Sequence, residues 1–140
     1  MLVVIPCGGK KMPGGPYQAQ DLYTGPYFRA CLRAALAETA DRSQVRILSG
    51  KWGLLRLTDT VAPYEQRIDG PGAVSLETVR EQATTQGILA PGRVLALCAG
   101  PYVKIVRAVW PDAETPLVGV GGIGYQLSVL KGMYGRPGLW

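Results

Sequence analysis

The sequence predicts a single α/β domain, a mainly parallel sheet of four to five strands with helices on both faces. Three observations lead there. Short apolar runs recur at residues 2–5 (LVVI), 45–49 (VRILS), 93–99 (RVLALCA) and 116–120 (PLVGV). Stretches with helical periodicity separate them, and strands without a regular polar face need cover on both sides. Finally, 140 residues without repeats or a long linker suffice for one core spanning 1–140.

The elements follow in order. LVVI is a buried strand. TGPYFRACLRAALAE is a helix, with Thr24 as its cap and Pro26 in its first turn. Phe28, Cys31, Leu32, Ala35 and Leu36 make its buried face, and Arg29 and Arg33 sit one turn apart on the other. VRILS is the second strand. Residues 51–72 are irregular, broken by Pro63 and the Gly-Pro-Gly of 70–72, with a candidate extra strand at 54–57. Ser75 caps a helix running to about Gln86. RVLALCA is the third strand; Gly100-Pro101 then opens a helix whose inner face carries Val103, Val106 and Val109. PLVGV is the fourth strand, and Ile123, Leu127, Leu130 and Tyr134 mark the buried side of the last helix. This order is that of a Rossmann-like three-layer sandwich. The terminal Leu139-Trp140 is an apolar pair able to cover its own core or a partner chain.

Composition narrows the chemistry. No apolar run approaches the ~20 residues of a membrane span, and the opening residues do not read as a signal peptide. A cytoplasmic location without membrane contact is expected. The chain has no histidine, which excludes Ser-His-Asp and Cys-His catalysis and HExxH zinc sites. Three cysteines, Cys7, Cys31 and Cys98, lack CxxC spacing, so neither a disulfide framework nor a metal site is expected. No cofactor is implied. A net charge of +5 and a pI near 9.3 point to an anionic partner, nucleic acid first.

Each predicted strand ends in small residues: Cys7-Gly8-Gly9, Ser49-Gly50, Ala99-Gly100 and the run from 119 to 124. In a parallel sheet these ends share one edge, where ligands bind. GVGGIG at 119–124 matches GxGxxG, but it follows the last strand and no acidic residue lies ~20 positions later, so a dinucleotide site is rejected. Gly121 and Gly122 remain an anion cradle at a helix start. No Walker lysine follows any glycine loop. Lys10 reads as a solvated turn residue and Lys11 as a site candidate.

Two longer stretches, QDLYTGPYFRA and VRILSGKWGLLRLTDTVAPYEQRI, together with PCGGKK, resemble a bacterial and phage domain family of unassigned function. Its pattern is Cys-Gly-x-x-Lys, Asp-Leu-Tyr-Thr-Gly, Ile-Leu-Ser-x-Lys-x-Gly-Leu and Pro-Tyr-acid. The chain matches it at Cys7, Gly8, Lys11, Asp21, Tyr23, Thr24, Ser49, Lys51, Tyr64 and Glu65, and more weakly through Gly124-Tyr125-Gln126. Leu48-Ser49-Gly50, Asp59 and Pro63-Tyr64 are similar to YaaA-type peroxide-stress proteins, which implies DNA binding. Pro6-Cys7 with Lys11 is similar to archaeosine synthases, although Met12-Pro13 replaces their Pro-Tyr. QDLYTGP resembles the water-activating segment of uracil-DNA glycosylases, with Leu22 and Thr24 replacing its proline and histidine.

The expected function is therefore a base-processing enzyme that cleaves or exchanges an N-glycosidic bond of a modified base, in DNA rather than RNA. Such chemistry needs a carboxylate and donors for the departing base, not histidine. Asp21, Asp59 and Glu65 are the candidate carboxylates, with Cys7 and Lys11 completing the catalytic set. Gly8, Gly9, Tyr23, Thr24, Ser49, Lys51, Tyr64, Gly121, Gly122 and Gln126 are the candidate substrate contacts, the tyrosines stacking on an extruded base. The alternatives are a non-catalytic DNA-binding protein of the YaaA type and a binder of a free nucleotide.

Overall fold

The computed structural model describes residues 1–135; the Leu139-Trp140 pair lies outside them. A four-stranded sheet has the order β4-β3-β1-β6. Its strands are β1 (Leu2–Pro6), β3 (Val45–Ser49), β4 (Gly53–Arg56) and β6 (Val94–Ala96). β1 pairs in parallel with β3 (Val3 opposite Val45) and with β6 (Leu2 opposite Val94). The sheet is mixed, because β4 returns antiparallel along β3. The 54–57 segment is thus a true strand, turned back through Gly53 at φ +73°. β2 (Tyr17–Gln18) and β5 (Thr60–Val61) form a separate antiparallel pair.

Among the described residues, five α-helices connect and cover the strands: α1 (Ala19–Leu22), α2 (Pro26–Glu38), α3 (Leu76–Thr85), α4 (Pro101–Val109) and α5 (Ile123–Tyr134). Their starts follow the local chemistry. Ser75 Oγ accepts from Thr78 N, capping α3, and Pro26 and Pro101 occupy the first positions of α2 and α4. The N-cap of α2 is Gly25 rather than Thr24, whose own N–H is held by the Lys10 carbonyl.

Leu2, Val3, Val4 and Ile5 are wholly buried, each contributing about 1.5–3 kcal/mol relative to exposure. Alternation divides them. Val3 and Ile5 pack with Phe28, Cys31 and Ala35 of α2 and Leu130 of α5. Leu2 and Val4 pack with Val79 and Ala83 of α3 and with Val103 and Val106 of α4.

The strand expected at 116–120 does not form. Pro116 has no N–H for a ladder, and Gly119 at φ +80° turns the chain away. Pairing occurs earlier, as a single parallel bridge between Glu114 and Leu95. The buried side of α5 is also narrower than its periodicity suggests. Leu130 is buried and Leu127 and Tyr134 half-buried, but Ile123 is 62% exposed.

Candidate functional site

The parallel strands β1 and β3 deliver Cys7 and Ser49 to neighbouring points on one edge. Cys7 N–H still donates to the Leu48 carbonyl at 3.1 Å, so the thiol sits where the ladder stops. Beyond it the chain turns through Gly8 and Gly9 and comes back beside α1, where Lys11 forms a β-bridge with Tyr23.

Beneath this turn lies a chain of hydroxyls. Ser49 Oγ accepts from the N–H groups of Lys51 (3.2 Å) and Trp52 (3.0 Å). With both lone pairs used, its proton goes to Tyr64 Oη at 2.6 Å. Tyr64 in turn donates to Tyr23 Oη, also at 2.6 Å. Tyr23 is fully buried and Tyr64 7% exposed, with their rings edge to face. Burial opposes a phenolate here: it pushes Tyr23 up to about 12 and Tyr64 further in the same direction. Lys11 Nζ lies 4.5 Å from the Tyr64 ring centroid and 5.8 Å from that of Tyr23. These tyrosines therefore carry the floor of the site and do not offer free faces for stacking.

Above them opens a cleft of about 270 Å³. Cys7, Gly8, Gly9 and Lys11 form one wall, and residues 65–69 another. The first turn of α4, with Pro101 and Tyr102, closes the third side. Tyr102 Oη is 3.2 Å from Cys7 Sγ, so the half-exposed thiol is positioned by a hydroxyl. Burial raises the Tyr102 phenol as well, keeping it protonated. The other two thiols are buried, which pushes both Cys31 and Cys98 up to about 12 and leaves them inert.

Charge in the cleft is unevenly committed. Arg67 and Asp69 pair with each other at 3.0 Å. Among the described residues, Glu65, exposed on the lining, has no protein donor, and Lys11, whose Nζ donates to the Gly9 carbonyl, has no carboxylate partner. The cleft thus offers one carboxylate and one ammonium to a ligand. Among the described residues, no three His, Cys, Asp or Glu side chains converge as metal ligands.

The structure brings Cys7, Gly8, Gly9, Lys11 and Glu65 together in the cleft, with Tyr23, Ser49 and Tyr64 directly beneath. The other candidates lie elsewhere. Asp21 is exposed on α1 and does not line the cleft. Asp59 braces a turn, its Oδ2 accepting from Arg56 N at 2.8 Å. Lys51 is exposed, 4.9 Å from the Trp52 ring. Thr24 is held through its backbone. Gly121 and Gly122 precede α5, where Gln126 accepts from Tyr27 Oη and donates to the Gly121 carbonyl.

Tyr102, Arg67 and Asp69 escaped the sequence reading. Tyr102 was within reach of it, because Ala99-Gly100 follows a parallel strand, which ends at Ala96 rather than Ala99, and the next helical turn must face the same edge. Nothing local marks Arg67 or Asp69.

A family model covers residues 2–132. The chain belongs to a family of unknown function (DUF6884). It is also 33% identical to the uncharacterized protein YfjM of Bacillus subtilis, over 93% of this chain and 92% of that protein. No solved structure matches it.

Proposed function

We propose that this DUF6884 member is a base-processing enzyme that cleaves or exchanges the N-glycosidic bond of a modified nucleobase, in DNA rather than RNA. One observation supports it above the others: an uncommitted carboxylate, Glu65, and a cation without a carboxylate partner, Lys11, line one cleft with the Cys7 thiol at a parallel strand end.

In the hydrolytic form, Glu65 orients a water molecule toward C1′ of the sugar. The water oxygen forms a bond to C1′, the C1′–N bond breaks, and the base leaves with the electron pair. Glu65 takes the water proton, and Lys11 holds the departing base as its anion. Cys7 and Tyr102 form the wall against which the base lies. Asp21, favoured by the likeness to uracil-DNA glycosylases, does not line the cleft and so is not the first choice for this role. The finer architecture belongs to the same reading: a Rossmann-like three-layer sandwich acting in the cytoplasm, its strand-end edge turned toward the substrate.

The test is incubation with genomic DNA carrying normal and hypermodified bases, followed by mass spectrometry of released bases. Release that drops roughly 100-fold or more in Glu65→Gln, and less in Asp21→Asn, supports the assignment. If no base is released while DNA is retained in a salt-sensitive way, the protein is instead a DNA-binding module. If only free nucleotides bind, it is a metabolite binder.

A further inference from the structure

α2 and α5 lie side by side and run in the same direction. Tyr27, in the first turn of α2, hydrogen-bonds Gln126 in the first turn of α5 at 2.5 Å. Further along both helices, the Arg33 guanidinium sits 5.8 Å from the ring of Tyr134. Between them is an open groove of about 570 Å³, larger than the cleft and separate from it.

The groove is one-signed. Among the described residues, Arg29, Arg33 and Lys131 line it, and no carboxylate does. The sequence accounts for this: α5 contains no acid, and the only one in α2 is Glu38, its last residue. Arg33 and Lys131 are exposed, and Arg29 is half-buried with one donor on the Gln20 carbonyl at 3.4 Å. Arg29 and Arg33 are also spaced i, i+4, a like-charge arrangement that costs an isolated helix about 0.2–0.5 kcal/mol. A bound polyanion relieves that repulsion.

The positive charge continues toward the cleft. A Cβ on Gly25, the N-cap of α2, would stand 3.9 Å from Lys10 Cβ, and Lys10 precedes Lys11 of the cleft wall. Cations therefore follow one another from the cleft edge onto the α2–α5 groove. Tyr134 adds an aromatic ring at its far end. A cationic groove with an aromatic side chain suits the backbone of an unpaired strand.

We propose that the α2–α5 groove seats the phosphodiester backbone of a single-stranded nucleic-acid segment whose target nucleoside enters the cleft. The second half of this assignment rests on the base-processing reading; the first does not. The strand runs over Arg29, Arg33 and Lys131 and past Lys10 to the cleft edge. Deoxyribose and ribose strands share the phosphate chemistry that the groove recognises.

The test compares two double variants of equal charge. Arg33→Gln with Lys131→Gln empties the groove of its exposed cations. Arg56→Gln with Lys104→Gln removes as much charge from exposed residues that line neither groove nor cleft. Circular dichroism verifies that both remain folded. Fluorescence anisotropy then follows labelled single strands of DNA and RNA, about 15 nucleotides long, across a salt series. For the groove variant, the slope of log K against log salt should fall by about 1.4, roughly 0.7 for each lost phosphate contact. The control should keep the wild-type slope. Equal losses in the two variants would overturn the proposal.

Base release separates this idea from the one it builds on. If the groove variant loses release from strands but keeps it from free nucleotides, both readings stand. Where no variant or wild type releases any base, yet the groove variant alone loses strand binding, the groove stands without the enzyme. Release from strands that is unchanged in the groove variant removes the groove and leaves the enzyme.

Discussion

Two glycine-rich turns invite comparison, the one after β1 and the one before α5. Both are rich in small residues, and both looked like ligand cradles from their residues. They came out differently. Gly8 and Gly9 continue a strand buried on both faces, and the packing of β3, residues 65–69 and α4 around them makes a three-sided cleft. The turn at 119–124 follows no strand, and Ile123 and Tyr125 beside it are 62% and 70% exposed. Glycine supplies backbone freedom in both places. What makes a site is the neighbours that a strand end is forced to have.

Substitutions around the cleft and in the second turn should give opposite results, and the largest effect is expected at Gly50, which follows β3 and packs on the cleft wall. A Cβ there would lie 2.5 Å from the Gln66 carbonyl and 2.8 Å from Ile68 N, both backbone atoms of the cleft wall. Gly50→Ala should therefore cost about 3 kcal/mol in urea denaturation, and a cost below about 0.5 kcal/mol would show that residues 65–69 are not packed as described.

Tyr64→Phe comes next. It leaves the buried Ser49 and Tyr23 hydroxyls without their shared partner, for a loss of about 1–3 kcal/mol. Tyr23→Phe removes only the end of the chain and should cost less. The reverse order would place the critical hydrogen bond elsewhere.

Alkaline pH probes the same floor. Burial raises Tyr23 from 10.0 to about 12 and moves Tyr64 and Tyr102 the same way. The folded state then holds phenolic protons that the unfolded chain releases above pH 10, so stability from these groups is complete below 10 and declines as pH rises toward 12. Cys31 and Cys98, raised from 9.0 to about 12, begin the decline one unit earlier. Stability measured between pH 8 and 11 should fall with this sign, and less steeply in Tyr64→Phe; a rise would contradict the burial of these groups.

The smallest effect belongs to the second turn. Gly124 is helical and a Cβ on it meets nothing within 4 Å. Gly124→Ala should stabilise the protein by about 0.5 kcal/mol, and a clear destabilisation would mean that this turn is packed after all.

The legible parts of the fold were those with a local cause. LVVI, apolar throughout, and VRILS, mostly apolar, announced strands, Ser75 announced a helix start, and the valines of α4 marked its inner face. The failure at 116–120 is instructive because PLVGV is as apolar as its predecessors. A strand needs a partner with free backbone groups, and the Glu114 carbonyl and N–H took those positions on β6 first. For the same reason α5 carries more apolar periodicity than the core can use.

The site divides likewise. Its motif residues Cys7, Lys11, Ser49 and Tyr64 could be named from the sequence, since their types and their places near strand ends are local facts. Their roles could not. Tyr23 and Tyr64 read as stacking platforms until packing put both rings beneath the cleft, and of the three candidate carboxylates the likeness favoured Asp21, whereas the fold brought only Glu65 to the cleft lining. The sequence by itself determined the α/β class, the strand-end glycines, the absence of histidine and the excess of positive charge. Only the tertiary structure decided which carboxylate faces the cleft, that Tyr102 holds the thiol, and that Arg29, Arg33 and Lys131 share a groove. Those facts depend on contacts between residues far apart in the chain, 95 positions for Cys7 and Tyr102 and 99 for Tyr27 and Gln126, and no local pattern of residue types specifies which distant side chain will be the neighbour.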